Sequence, residues 1–213
     1  GTPGACLPTP IAITENPTPT ITLSCSETDN TICTGDLITF SASGALEYEF
    51  FIDGTSQGAA SETAQLSSNA IASGQTVTVS GYSEFGCFNT SSDSYTITVH
   101  EYPTVSLSSS DADDQICEGE NIVFSASGAD EYQFFISGTP QGNFSSLPTF
   151  SSSEITNGSV ISVQGMSNEC ISTATENYAI TVYNLPNVSL EAISPISICE
   201  SELISVQANG ASE

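Results

Sequence analysis

Seven cysteines are the residues best equipped for covalent chemistry in this chain, and six of them recur in two classes. Cys33, Cys117 and Cys199 each follow an isoleucine just before an apolar alternating run. Cys6, Cys87 and Cys170 each sit in a turn between two such runs, and Cys25 belongs to neither class. A zinc site needs clustered Cys and His ligands at short spacing, whereas here no C-x-x-C pair exists and His100 is the sole histidine. Disulfides are the better reading, and with them an oxidising, secreted environment.

Acid–base chemistry has little to work with. A hydrolytic triad requires a histidine between a nucleophile and an orienting acid, and His100 stands at a strand end where the other copies of the local pattern have Thr14 and Tyr183. Glycosidases manage with two carboxylates, but no pair is singled out, since the acids vary between copies and fall mostly in loops. No catalytic residue and no bound cofactor is expected. Calcium is the one ion the acids could hold, because it takes several hard oxygen ligands. The candidates are Asp111, Asp113, Asp114 and Glu118, with Glu27, Asp29 and Asp36 in the preceding copy. A solvated acidic loop is the simpler alternative. Phe51 and Phe135 lie opposite the apolar face of their strands and could offer a platform to sugars or pack under a neighbouring loop. Asn89, Asn143, Asn157 and Asn187 are glycosylation triplets only in a host that uses them.

Charge excludes whole classes of partner. The chain has 213 residues, 25 Asp and Glu, and neither Lys nor Arg, for a formal charge of -25. Phosphate backbones and anionic membranes are bound through Lys and Arg, so neither nucleic acid nor an anionic bilayer is a partner. Like-charged modules repel one another, which favours extended arrangements, and proteases that cut after Lys or Arg find no site.

The elements that position these residues are repeated. Ile32–Gly58 returns 84 positions later as Ile116–Gly142 with 19 of 27 residues identical, including Ser-Ala-Ser-Gly-Ala at 41–45 and 125–129. A third copy opens at Ile198-Cys199, and residues 1–18 match the end of a repeat. The expected organisation is therefore the tail of one repeat (1–18), two whole repeats (19–102 and 103–185) and the start of another (186–213), with both ends cut inside repeats. Apolar residues alternate within each repeat, the pattern of half-buried strands. Ile38, Phe40 and Ala42 line one strand, Tyr48, Phe50 and Ile52 the next, then Val77 and Val79, then Tyr95, Ile97 and Val99. The second repeat reproduces the set from Ile122 to Val182. Adding strands near Leu107 and near Leu66 or Phe150 gives about seven per repeat of about 83 residues, an all-β immunoglobulin-like sandwich. Repeats follow one another through Glu101-Tyr102-Pro103 without a flexible linker, and proline at the joint stiffens it. A head-to-tail rod is expected.

That architecture bears on the cysteines. Pairing inside a repeat, Cys33 with Cys87 and Cys117 with Cys170, would span opposite ends of a sandwich about 20 Å long, whereas bridged Cα atoms lie within about 7 Å. Stacked head to tail, the first-class end of one repeat faces the second-class end of the next. This favours Cys33 with Cys170 and leaves Cys6, Cys87, Cys117 and Cys199 to partners in neighbouring repeats. The intra-repeat alternative stays open at this point.

The pattern I-C-x-G-x-x-I-x-F-S-A-S-G-A-x-E-Y-x-F-F-I-x-G, followed by a V-x-V strand, a cysteine turn and Y-x-I-T-V, resembles the Ig-like or PKD-like repeats of very large Bacteroidota surface proteins such as the gliding adhesins of the SprB kind. The resemblance covers essentially the whole chain. It implies export by type IX secretion, attachment to the outer membrane of a Gram-negative cell, and a stalk or filament whose partners are neighbouring repeats, surface glycans or the secretion and motility machinery. It carries no catalytic residues. Similar repeats also decorate secreted enzymes, so a carbohydrate-binding or accessory module of a secreted hydrolase is the alternative.

Overall fold

The computed structural model describes residues 13–193 and 197–210. The chain divides between Tyr102 and Pro103 into two compact units. In the first, β1 (Thr22–Cys25), β3 (Ile38–Ser43) and β6 (Gln65–Ser68) form one antiparallel sheet. The other sheet orders β5 (Thr55–Ser56), β4 (Glu47–Ile52), β7 (Thr76–Tyr82) and β8 (Phe88–Thr90), with β9 (Tyr95–Thr96) also on β7. β2 (Thr31–Cys33) runs parallel to β10 (Thr98–His100), the strand that continues β9. The first strand region thus starts in one sheet and crosses to the other.

The second unit repeats this plan. β11 (Ser106–Ser109), β13 (Ile122–Ser127) and β16 (Thr149–Ser152) make one sheet. The other contains β12 (Gln115–Cys117), β19 (Tyr178–Tyr183), β17 (Ser159–Ser167), β14 (Glu131–Ile136) and β15 (Thr139–Pro140), with β18 (Cys170–Thr173) on β17. Beyond it, β20 (Ser189–Ala192) and β21 (Val206–Asn209) pair in the register that opens the other copies: Leu190 faces Ala208 as Leu23 faces Ala42 and Leu107 faces Ala126.

Two-residue periodicity places each core. Ile38, Phe40, Val77, Val79 and Ile97 are fully buried in the first unit, and Ile122, Phe124, Ile161, Val163 and Ile180 in the second. Burying a side chain of this size stabilises by about 1.5–3 kcal/mol. The recurrent Ser-Ala-Ser-Gly-Ala has a steric explanation. Gly44 and Gly128 have φ of +96° and +94°, and a Cβ on either would overlap the carbonyl oxygen of Thr20 or Thr104. The following Ala45 is held by Tyr48, whose hydroxyl donates to the Ala45 carbonyl at 2.9 Å and accepts from its N–H at 3.0 Å. Tyr132 and Ala129 repeat the arrangement at 2.6 and 2.9 Å. The fold is the all-β sandwich expected from the alternating runs, with one strand the sequence pattern does not reveal: Thr31–Cys33 and its counterpart Gln115–Cys117 are strands parallel to the last one.

Candidate functional site: the cysteine-bearing ends

Each unit has an entry end, where the chain arrives, and an exit end, where it leaves. The first class of cysteine marks the exit. Cys33 is the last residue of β2, in register with His100, the last of β10. The next residue, Thr34, donates its N–H to the His100 carbonyl at 2.9 Å. His100 is half-buried at the terminus of β10. Cys117 holds the same place, in register with Tyr183, and Glu118 donates its N–H to the Tyr183 carbonyl at 2.8 Å.

A four-residue turn follows each first-class cysteine, closed by N–H to carbonyl bonds from Asp36 to Cys33 (3.0 Å), Glu120 to Cys117 (3.0 Å) and Glu202 to Cys199 (3.2 Å). Its third residue has φ of +86° at Gly35, +82° at Gly119 and +78° at Ser201. A turn with positive φ at that position favours glycine, which accounts for the recurrent C-x-G. The acid closing the turn also works through its side chain. Glu120 Oε2 accepts the Cys117 N–H at 3.0 Å, and Glu202 Oε2 the Cys199 N–H at 2.8 Å. Asp36 instead accepts the Tyr102 hydroxyl at 2.7 Å, and that hydrogen bond raises the Tyr102 phenol above its ordinary range.

The second class of cysteine marks the entry end. Cys87 lies 3.7 Å from the Asn16 carbonyl, on the segment that leads into β1, and the next residue but one, Asn89, donates to the Pro19 carbonyl at 3.1 Å. Cys170 opens β18 directly after a two-residue turn, Asn168-Glu169, and is 1% exposed. In both units, then, the two cysteine classes occupy opposite ends of the sandwich.

Their oxidation states differ. Cys33 and Cys170 are disulfide-bonded, while Cys25, Cys87, Cys117 and Cys199 are the free cysteines among the described residues. With Cys87 and Cys117 both free, neither pairing inside a repeat is made. The reason is geometric: β-strands separate the ends by far more than a disulfide can span. Cys6 lies outside the described residues. In Cys25, a strand residue facing Phe40 across β3, burial raises the thiol pKa, the hydrogen bond from the Glu27 backbone opposing it.

The acidic candidates do not converge. Among the described residues no group of three or more His, Cys, Asp or Glu side chains is placed to hold a metal ion. Asp111 instead organises its loop, its Oδ1 accepting the N–H groups of Asp113 and Gln115, each at 3.2 Å. Burial raises this carboxyl, but bonds from the Asp113 side chain and from the backbone of Gln115, Asp113 and Asp114 outweigh it and hold the group below the usual range. Asp113 Oδ2 accepts from the Gln115 amide at 3.4 Å, and Asp114, at φ +58°, gives its carbonyl to the Thr181 N–H. Glu118 lies beyond β12, about 13 Å further along an extended chain at roughly 3.3 Å per residue, at the exit end beside Gly119, Asn157 and Asn184. The first unit builds the same loop with Asp29, whose Oδ1 accepts the Thr31 N–H at 3.1 Å, and with Asn30 at φ +60°.

The remaining candidates are structural in part. Phe51 and Phe135 are half-buried in register with Thr78 and Ser162. Asn157 Oδ1 accepts the Val182 N–H at 3.0 Å, while Asn143 and Asn187 are exposed.

No family model and no curated protein matches the chain. Solved structures do. The fibronectin(III)-like modules of Clostridium thermocellum CbhA are 14% identical over 76% of this chain and 95% of theirs, with a TM-score of 0.53. A 1.5-MDa bacterial ice-binding adhesin, described for host cell surface retention, is 15% identical over 84% of this chain and 71% of its own, with a TM-score of 0.40. A Ca2+-stabilised adhesin with which an Antarctic bacterium binds ice is 15% identical over 84% and 53%, at 0.42. The first of these likenesses makes the fold a fibronectin III-like, immunoglobulin-like β-sandwich. Identity this low shows fold alone.

Proposed function

We propose that this chain is a non-catalytic stalk segment of a large secreted adhesin, in which each joint between sandwiches is stapled by a disulfide, here Cys33 to Cys170. One observation carries the reading: each unit holds its two cysteine classes at opposite ends, and Cys33 and Cys170 are oxidised where Cys87 and Cys117 are free. A cysteine at the exit of one sandwich and another at the entry of the next are the pair a head-to-tail joint brings together. On this scheme Cys87 and Cys6 take cysteines of earlier repeats, and Cys117 and Cys199 those of later ones. A covalent staple limits bending and resists pulling, and a charge of -25 without cations keeps neighbouring stalks apart. Display on the outer membrane of a Gram-negative cell of the Bacteroidota kind, type IX secretion, gliding motility and contact with surface glycans belong to the same proposal, and rest on the sequence resemblance.

Small-angle X-ray scattering of the whole chain with and without reductant tests the reading. The oxidised chain gives one well-defined maximum dimension, and reduction or Cys33→Ser broadens the distribution while both sandwiches stay folded. An unchanged profile on reduction removes the staple from the account.

A further inference from the structure

The outer face of the first unit's larger sheet carries a feature the second unit lacks. Across three adjacent strands Glu47, Tyr82 and Phe88 stand in one row, Glu47 in register with Tyr82 and Tyr82 with Phe88. The two rings are 6.0 Å apart with planes tilted by 34°, and Phe88 is 63% exposed. In the adjacent row Glu49 accepts the Tyr82 hydroxyl on Oε2 at 3.2 Å and the Ser56 hydroxyl on Oε1 at 2.7 Å. Burial, with the Glu49 hydrogen bond next, raises the Tyr82 phenol above its ordinary range. In the second unit the same registers hold Glu131, Met166 and Ile171, with Gln133 in place of Glu49. Both rings and one carboxylate are gone there.

We propose that the Tyr82–Phe88 ring pair, framed by Glu47 and Glu49, is a docking site for a Lys- or Arg-bearing segment of another protein. Aromatic faces attract cations through their quadrupole, and carboxylates beside the rings supply acceptors for the N–H donors of a guanidinium or ammonium group. The chain itself contains no Lys or Arg that could occupy the site. Charge therefore selects the partner, and the rings place it on the first unit. A neutral sugar would use the rings and gain nothing from the surrounding charge.

The two units serve as each other's control, because the substitutions that remove the site are residues the second unit carries in the same register. The probe is an acetylated, amidated tetra-arginine peptide at 0.15 M salt, followed by NMR on the intact chain, with cellohexaose as the neutral comparison. The peptide is expected to shift the Tyr82 and Phe88 ring signals. Tyr82→Met with Phe88→Ile weakens its binding about three- to tenfold without changing net charge, and Glu49→Gln weakens it less. Gln133→Glu, Met166→Tyr and Ile171→Phe together create a second site. Equal affinity after the ring exchange, in a chain whose core signals are unchanged, would reduce the contact to diffuse charge attraction and overturn the proposal. Equal ring shifts with cellohexaose would overturn it in favour of a sugar.

Discussion

The first unit turns from β7 into β8 through Glu84, Phe85 and Gly86, whereas the second turns from β17 into β18 through Asn168 and Glu169 alone. The shorter turn has φ of +49° and +66° at its two residues, the conformation that matches the twist of a tight hairpin. This one-residue difference changes the repeat shift from 84 before the turn to 83 after it, yet Cys87 and Cys170 both emerge at the entry end of their sandwiches. Farther along, β9 and β10 are broken at Ile97 where β19 runs unbroken. Outward-facing positions vary as freely, Tyr82 giving way to Met166 and Phe88 to Ile171. Inward-facing positions stay apolar while exchanging similar residues, Ile21 for Val105 and Val77 for Ile161. The module varies freely where a side chain meets water and keeps an apolar partner on the ring at its core, Leu66 in register with Phe40 and Phe150 with Phe124, while Gly44 and Gly128, packed on the Thr20 and Thr104 carbonyls, are unchanged.

Three perturbations sharpen the contrast. The largest effect belongs to the core: Phe40→Ala or Phe124→Ala removes a fully buried ring and costs its own unit about 3–5 kcal/mol. Chemical denaturation is expected to show one early and one unperturbed transition in either variant. Loss of both units together would mean that they do not fold independently. The glycines come next. Gly44→Ala and Gly128→Ala place a methyl group against a carbonyl at positive φ and cost about 1–3 kcal/mol each. The matched mutation at Gly35, whose Cβ would meet nothing within 4 Å, is expected to cost less, the backbone angle being its only penalty. Equal losses at Gly44 and Gly35 would show the carbonyl contact to be irrelevant. The smallest effect is that of the ring exchange on peptide binding, which leaves stability nearly untouched.

Much of this was legible in the sequence because the core is written in a two-residue period and then written again. Ile38, Phe40 and Ala42, with Tyr48 and Phe50, needed no structure to be placed on inner faces. The two cysteine classes were legible for the same reason, since their positions recur. Thr31–Cys33 escaped, being too short for any period to show, and its parallel pairing with β10 depends on a strand 67 residues away in register, Thr98 against Thr31. Asp111 looked like an ion ligand from composition. Its oxygen is instead spent on the N–H groups of its own loop, a local competition that residue type alone does not reveal. The Tyr82–Phe88 pair was hidden because it departs from the repeat, and self-similarity draws attention to what stays constant.

The proposed staple pairs Cys33 with Cys170, the two disulfide-bonded cysteines. Trypsin has no site in this chain, so the direct measurement is mass spectrometry of a non-reduced digest by proteases that cut after Glu and after aromatic residues. A linked peptide containing Cys33 and Cys170, with Cys87 and Cys117 recovered as free thiols, is the predicted result; a linked peptide joining Cys33 to Cys87 would contradict it.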